Sequence, residues 1–158
     1  MKTALTLILI ILFLDIYAQD TLKAKQIDTL VSSINKSNLP VKCDTVVKDY
    51  PEFGLKMITF LSRIVNDNEL IKYVNLVDAT RTENGVVKQT TTSSTFYYKN
   101  NKLIKIEEYT LEGKQKKTAD WYYHEDKPIH FTATSAKASE RAIFLITLAN
   151  GFLKKTNE

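Results

Sequence analysis

Cysteine is almost missing from this chain. Cys43 is the only one in 158 residues, so no disulfide can form within the molecule. The fold must rest on ordinary packing and not on covalent staples. Taken alone, Cys43 is expected to be a small buried apolar side chain. Histidine is nearly as scarce, with His124 and His130 the only two. Glycine occurs four times, as Gly54, Gly85, Gly113 and Gly151, and none of these builds a glycine-rich phosphate loop. No Gly-x-Ser-x-Gly, Ser-x-x-Lys or His-Glu-x-x-His pattern occurs, which removes the common sequence signatures of serine hydrolases and zinc peptidases.

Arginine is limited to Arg63, Arg81 and Arg141, so lysine carries most of the net charge of +4. A nucleic-acid binder concentrates arginine for bidentate phosphate and base contacts. The excess here reads as a solvated surface, and no nucleic-acid partner is expected. No cofactor is expected either.

The start of the chain has the order of an export signal. Lys2 is a positive lead, an apolar run follows from Ala4 to Leu14, and Asp15 and the small residue Ala18 precede Gln19. Signal peptidase reads that order. The run is shorter than the roughly 20 apolar residues that cross a bilayer. It contains no cysteine for lipid attachment. Residues 1–18 are therefore expected to be a signal peptide, leaving 19–158 as one domain with no transmembrane span. The near-absence of cysteine fits a bacterial envelope, whether periplasmic or secreted.

Ile27, Leu30, Val31 and Ile34 fall on one face of a 3.6-residue period, which predicts a surface helix over 19–36. Asn35 to Pro40 ends it. Val41, Cys43, Thr45 and Val47 alternate with polar residues and suggest a short strand, broken at Tyr50-Pro51 and Gly54.

From Leu55 to Thr134 a degenerate unit recurs. It reads Asn68-Glu69-Leu70-Ile71-Lys72-Tyr73, then Asn84-Gly85-Val86-Val87-Lys88-Gln89. It returns as Asn101-Lys102-Leu103-Ile104-Lys105-Ile106 and Asp126-Lys127-Pro128-Ile129-His130-Phe131. Asn, Asp and Gly accept the positive φ of tight hairpins, and β-branched and aromatic residues fit pleated strands. The uneven spacing excludes a solenoid or propeller. The text predicts five or six antiparallel strands over 55–134.

A second helix is predicted over 135–155, on the face formed by Ala138, Ala142, Leu145, Ile146, Ala149, Phe152 and Leu153. Ile143, Phe144 and Leu148 make its middle apolar nearly all round, as in a covered helix. The fold class is α+β: an antiparallel β-meander packed with an N-terminal and a C-terminal α-helix.

For chemistry the chain offers little. With Asp126-Lys127 as the hairpin loop, His124 faces Ile129 and Tyr123 faces His130. The histidines then lie on opposite faces and share no metal. Glu107 and Glu108 are strand neighbours and also diverge. No catalytic set converges, so the expected role is a non-catalytic binding or protein-interaction domain. Two rivals are a carrier of a hydrophobic small molecule, held between the sheet and the C-terminal helix, and a hydrolase using Cys43 or His130.

With two-residue loops at Asn100-Asn101 and Asp126-Lys127, Tyr97 faces Ile104 and Tyr122 faces Phe131. Phe96, Tyr98, Trp121 and Tyr123 then share the other face with Lys105 and His130. Those six are the candidate ligand or partner surface, suited to a peptide, glycan or lipid. The alternative is that this face is core beneath the N-terminal helix.

Overall fold

The computed structural model describes residues 20–156, so the expected signal peptide lies outside the described residues. Helix α1 covers 20–36. Seven strands follow: β1 (Val41–Tyr50), β2 (Leu55–Asn66), β3 (Glu69–Glu83), β4 (Val86–Lys99), β5 (Lys102–Glu112), β6 (Gln115–His124) and β7 (Lys127–Phe131). Helix α2 (Ala138–Thr156) closes the chain. The strands form one antiparallel sheet in chain order, a pure meander. The count is seven, not five or six. β1 pairs with β2 along its whole length, so the alternation at Val41–Val47 is a full edge strand.

The turn chemistry explains the meander. Asp67-Asn68, Asn84-Gly85, Asn100-Asn101 and Glu125-Asp126 all have positive φ at both central residues, as type I′ hairpins require. In the β5–β6 loop only Gly113 is positive. Between β1 and β2 a single 3-10 turn, Pro51–Phe53, ends on Gly54 at φ 56°. A Cβ there would lie 2.5 Å from the Thr82 carbonyl oxygen, so this close crossing needs glycine.

Three of the hairpins carry a β-bulge, each at the same place in the recurring unit. Ile64 pairs with Lys72 and Val65 with Leu70, skipping Ile71. Tyr97 pairs with Lys105 and Tyr98 with Leu103, skipping Ile104. Tyr122 pairs with His130 and Tyr123 with Pro128, skipping Ile129. An extra residue on one strand bends it, raises its twist and reverses the facing of everything beyond. The hairpins involved all turn at one end of the sheet, so the bending accumulates there.

Both helices pack at that end, on opposite faces. Under α2 lies the main core: Leu70, Phe96, Tyr98, Leu103, Ile106, Trp121 and Tyr123 against Ala138, Ala142, Leu145 and Ala149. The alanines let the helix backbone approach the sheet. Tyr98 and Tyr123 donate from their hydroxyls to the Ala149 and Ala142 carbonyls at 3.1 and 3.2 Å. Buried tyrosines need such partners. The outward side of α2 carries Ile143 and Phe144, which are exposed. Helix α1 covers the other face through Ala24 and Val31, with Ile27, Leu30 and Ile34 half-buried. Among the described residues no helix is long and apolar enough to cross a membrane.

This packing separates two neighbouring positions. Ala142→Leu forces extra methylenes into a fully buried contact and is expected to destabilise by roughly 1–3 kcal/mol. Ile143→Ala, one residue along, is expected to change stability by less than about 0.5 kcal/mol. Urea unfolding of the two variants checks the contrast.

Candidate ligand cleft beside the C-terminal helix

The bulges re-sort the residues singled out from the sequence. Phe96, Tyr98, Trp121 and Tyr123 do share a face, but that face is sealed under α2, and all four are 1–3 % exposed. Lys105 and His130 lie on the opposite face, because skipping Ile104 and Ile129 reverses their facing. The six therefore do not form one surface, and the aromatic quartet is core beneath the C-terminal helix, not the N-terminal one. The pairings differ accordingly. Tyr97 faces Lys105, Tyr122 faces His130, and Trp121 faces Phe131. The β6–β7 loop is Glu125-Asp126, one residue earlier than the sequence suggests.

On the α1 face, a cross-strand row runs Lys72, Tyr97, Lys105, Tyr122, His130. Lys72 and Lys105 sit 5.3 and 5.0 Å from the Tyr97 and Tyr122 ring centroids, within cation–π range. The Lys105 ammonium, on a residue only 5 % exposed, donates to Asp28 at 2.8 Å and contacts Glu107 at 2.9 Å and Asp120 at 3.9 Å. The Tyr122 hydroxyl also meets the Asp28 carboxylate. Two helical turns further on, Asn35 takes a bond from Lys72 at 2.7 Å and meets the Tyr97 hydroxyl. Two α1 side chains, seven residues apart, thus fasten the helix to the row. This cluster is a latch, with its polar groups already matched to each other.

Its ionisation is set by burial and by those partners. Burial alone would lower the Lys105 pKa, but hydrogen bonds to Asp28 and Glu107 and the charges of Glu107 and Asp120 outweigh it and raise the value. Burial lowers Lys72 and lifts the Asp120 carboxyl, which Lys105 pulls back. Burial also pushes Tyr97 up to about 12 and raises Tyr73, Tyr98, Tyr122 and Tyr123.

The histidines are placed differently from expectation. His130 packs against the Tyr122 ring, and His124 lines a hollow beside α1 with Lys23, Ile27 and Leu30. Both therefore belong to the α1 side. Among the described residues no group of three His, Cys, Asp or Glu is arranged to hold a metal ion. Cys43 is exposed, not buried. It sits on β1, five and six strands away from β6 and β7, in a hollow with Thr45, Phe60, Val74 and Leu76.

Core side chains from both elements pack between α2 and the sheet. Beside α2, however, a cleft of about 450 Å³ opens, within the roughly 300–1,000 Å³ of small-molecule sites. Its floor is two cross-strand rows. The nearer is Asn75, Ser94, Glu108, Ala119, and the farther includes Thr92, Thr110 and Lys117. Arg141 and Leu148 of α2 form the wall. Glu108 is held from all sides. It accepts from Arg141 at 2.6 Å, from Ser94 at 3.2 Å and from the Trp121 indole at 2.9 Å. The Asn75 Oδ1, by contrast, is shielded from solvent and has no hydrogen-bond partner. Short Ser, Thr and Asn side chains on strands read in sequence as an ordinary solvated face, so only the row alignment reveals that they line one cleft.

Comparison with protein-family models, with curated proteins and with solved structures gives no match.

Alkaline titration tests the buried tyrosines of both faces together with Lys105. Unfolded tyrosine and lysine titrate near 10 and 10.4. For Lys105 and the five tyrosines the folded values are higher. Their stabilisation is therefore complete below about pH 10 and is lost as pH climbs past it. A late, cooperative rise in tyrosinate absorbance that coincides with loss of circular dichroism is expected. A smooth titration of all tyrosines with the fold intact contradicts it.

Proposed function

We infer that this is an exported, non-catalytic binding domain of the bacterial envelope, and that it takes a small hydroxyl-bearing ligand in the cleft beside α2. The observation that carries this reading is the cleft lining itself, in which Thr92, Ser94 and Thr110 hydroxyls and the Asn75 amide lie beside Lys117. A ligand hydroxyl donates to a lining hydroxyl oxygen, and its own oxygen accepts from Lys117 or a threonine. Ser94 gives its proton to Glu108 and so presents an acceptor to the cleft.

The non-catalytic part of the reading follows from Glu108. It is the only carboxylate in the cleft lining, and its oxygens are engaged by Arg141, Ser94 and Trp121. A carboxylate so engaged positions neighbours. It is poorly placed to move a substrate proton. Export rests on the Lys2, Ala4–Leu14, Ala18 order at the start of the chain.

The test uses protein purified without denaturation from its native envelope. Mass spectrometry is expected to show a chain beginning at Gln19 and a hydroxyl-bearing small molecule released from the wild type. Thr92→Phe, which fills the cleft floor, is expected to lose that molecule while keeping its urea midpoint within about 0.5 kcal/mol of stability. Equal recovery from both proteins, or none from either, sinks the cleft reading. A cytosolic chain that retains Lys2 sinks the export reading.

A further inference from the structure

The near floor row of the cleft does not stop at β3. Asn75 pairs with Leu61 on β2, and Leu61 with Asp44 on β1. The complete row, Asp44, Leu61, Asn75, Ser94, Glu108, Ala119, crosses six strands. Five strand spacings of about 4.8 Å make it roughly 24 Å long. At its β1 end lies a second hollow of about 180 Å³, lined by Lys42, Asp44, Leu61, Arg63, Tyr73 and Phe152. The two hollows are lined by neighbouring residues on the same side of α2, with Leu61 of one paired to Asn75 of the other. Asn75 and Tyr73 are two residues apart on β3, and Leu148 and Phe152 lie one turn apart on the helix.

The second hollow is cationic, lined by both Lys42 and Arg63. Across the sheet Arg63 is flanked by Lys42 on one side and Tyr73 on the other. Tyr73 is held flat against Phe152, with ring centroids 4.1 Å apart. With Arg141 matched to Glu108, the groove keeps Lys42, Arg63 and Lys117 against one further carboxylate, Asp44. Its middle is hydroxyl and amide, and its ends are cationic.

We propose that the groove binds a carboxylate-bearing, hydroxyl-rich oligosaccharide laid across the strands, with Asn75 taking a sugar hydroxyl and Arg63 with Lys42 taking an acidic group. This rests on the cleft reading and extends it. The hydroxyl floor favours a sugar over an acidic peptide, whose backbone seeks an unpaired strand edge and not the middle of a sheet face. A guanidinium fork is the side chain suited to a carboxylate.

The test titrates full-length mature protein with tetragalacturonate, maltotetraose and tetraglutamate. Trp121, the only tryptophan, touches Glu108 in the cleft, and its fluorescence reports occupancy. Tetragalacturonate is expected to bind at least about tenfold tighter than maltotetraose, the worth of one charge-assisted bond. Its affinity is expected to fall with salt. Arg63→Met is expected to remove that advantage and leave maltotetraose unchanged. Lys42→Ala, at an exposed edge position that cannot unfold the protein, is expected to remove part of it. Equal affinity for the two sugars, or indifference to both substitutions, overturns the acidic-end proposal while the cleft reading stands. Tighter binding of tetraglutamate also overturns it. If no sugar moves the Trp121 signal or heat in calorimetry, the cleft reading falls with it.

Discussion

One extra residue, inserted three times, governs the molecule. Ile71, Ile104 and Ile129 are each skipped in the pairing of their hairpin. A strand has a side-chain period of two, so each insertion turns the residues beyond it to the opposite face. Leu103 and Lys105, which a regular strand would put together, go to opposite faces. The leucine enters the core under α2 and the lysine enters the latch under α1. A two-helix sandwich with an apolar row on one side and a Lys–Tyr row on the other results from that reversal.

The two faces are bound by different physics. Under α2, burial of aromatic and aliphatic surface does the work, at about 25 cal/mol per Å², and alanines set the helix close enough for tyrosine hydroxyls to reach its carbonyls. Under α1 the apolar contact is thinner. An ammonium with carboxylates from α1, β5 and β6 fixes the helix in position. An ion cluster of that kind costs desolvation and contributes mostly by orienting the groups that share it. The α1 face therefore holds the buried ion cluster, and the α2 face is the more sensitive to changes in side-chain volume.

Much of the architecture could be read from residue types, and the reason is local. Hairpins need positive φ, and Asn, Asp and Gly announce it at Asp67-Asn68, Asn84-Gly85 and Asn100-Asn101. The recurrence of Leu-Ile-Lys after such turns was visible as a repeat. Its meaning was not, because a bulged isoleucine looks the same as a paired one. That single ambiguity explains why Phe96, Tyr98, Trp121 and Tyr123 could be grouped correctly while Lys105 and His130 were assigned to the wrong side. Cys43 escaped for another reason. Its exposure depends on β1 being an edge with nothing packed over it, which no residue in the segment declares.

The groove beside α2 arises from the same geometry. A helix about 10 Å wide cannot cover strands of ten to fifteen residues, each rising about 3.3 Å per residue. Bending concentrates both helices at one end of the sheet, and the adjoining row must be finished some other way. An apolar row there would expose a large patch and invite aggregation, and long charged side chains would lie over the floor and fill it. Asn75, Ser94, Thr92 and Thr110 are short and polar, which keeps the floor open and wettable. The Asn75 Oδ1 and the Arg63 Nε are shielded without partners even though the hollows beside them are open. Shielding without satisfaction costs about 1–3 kcal/mol for each group, so this stretch of sheet carries a local cost that the core under α2 offsets.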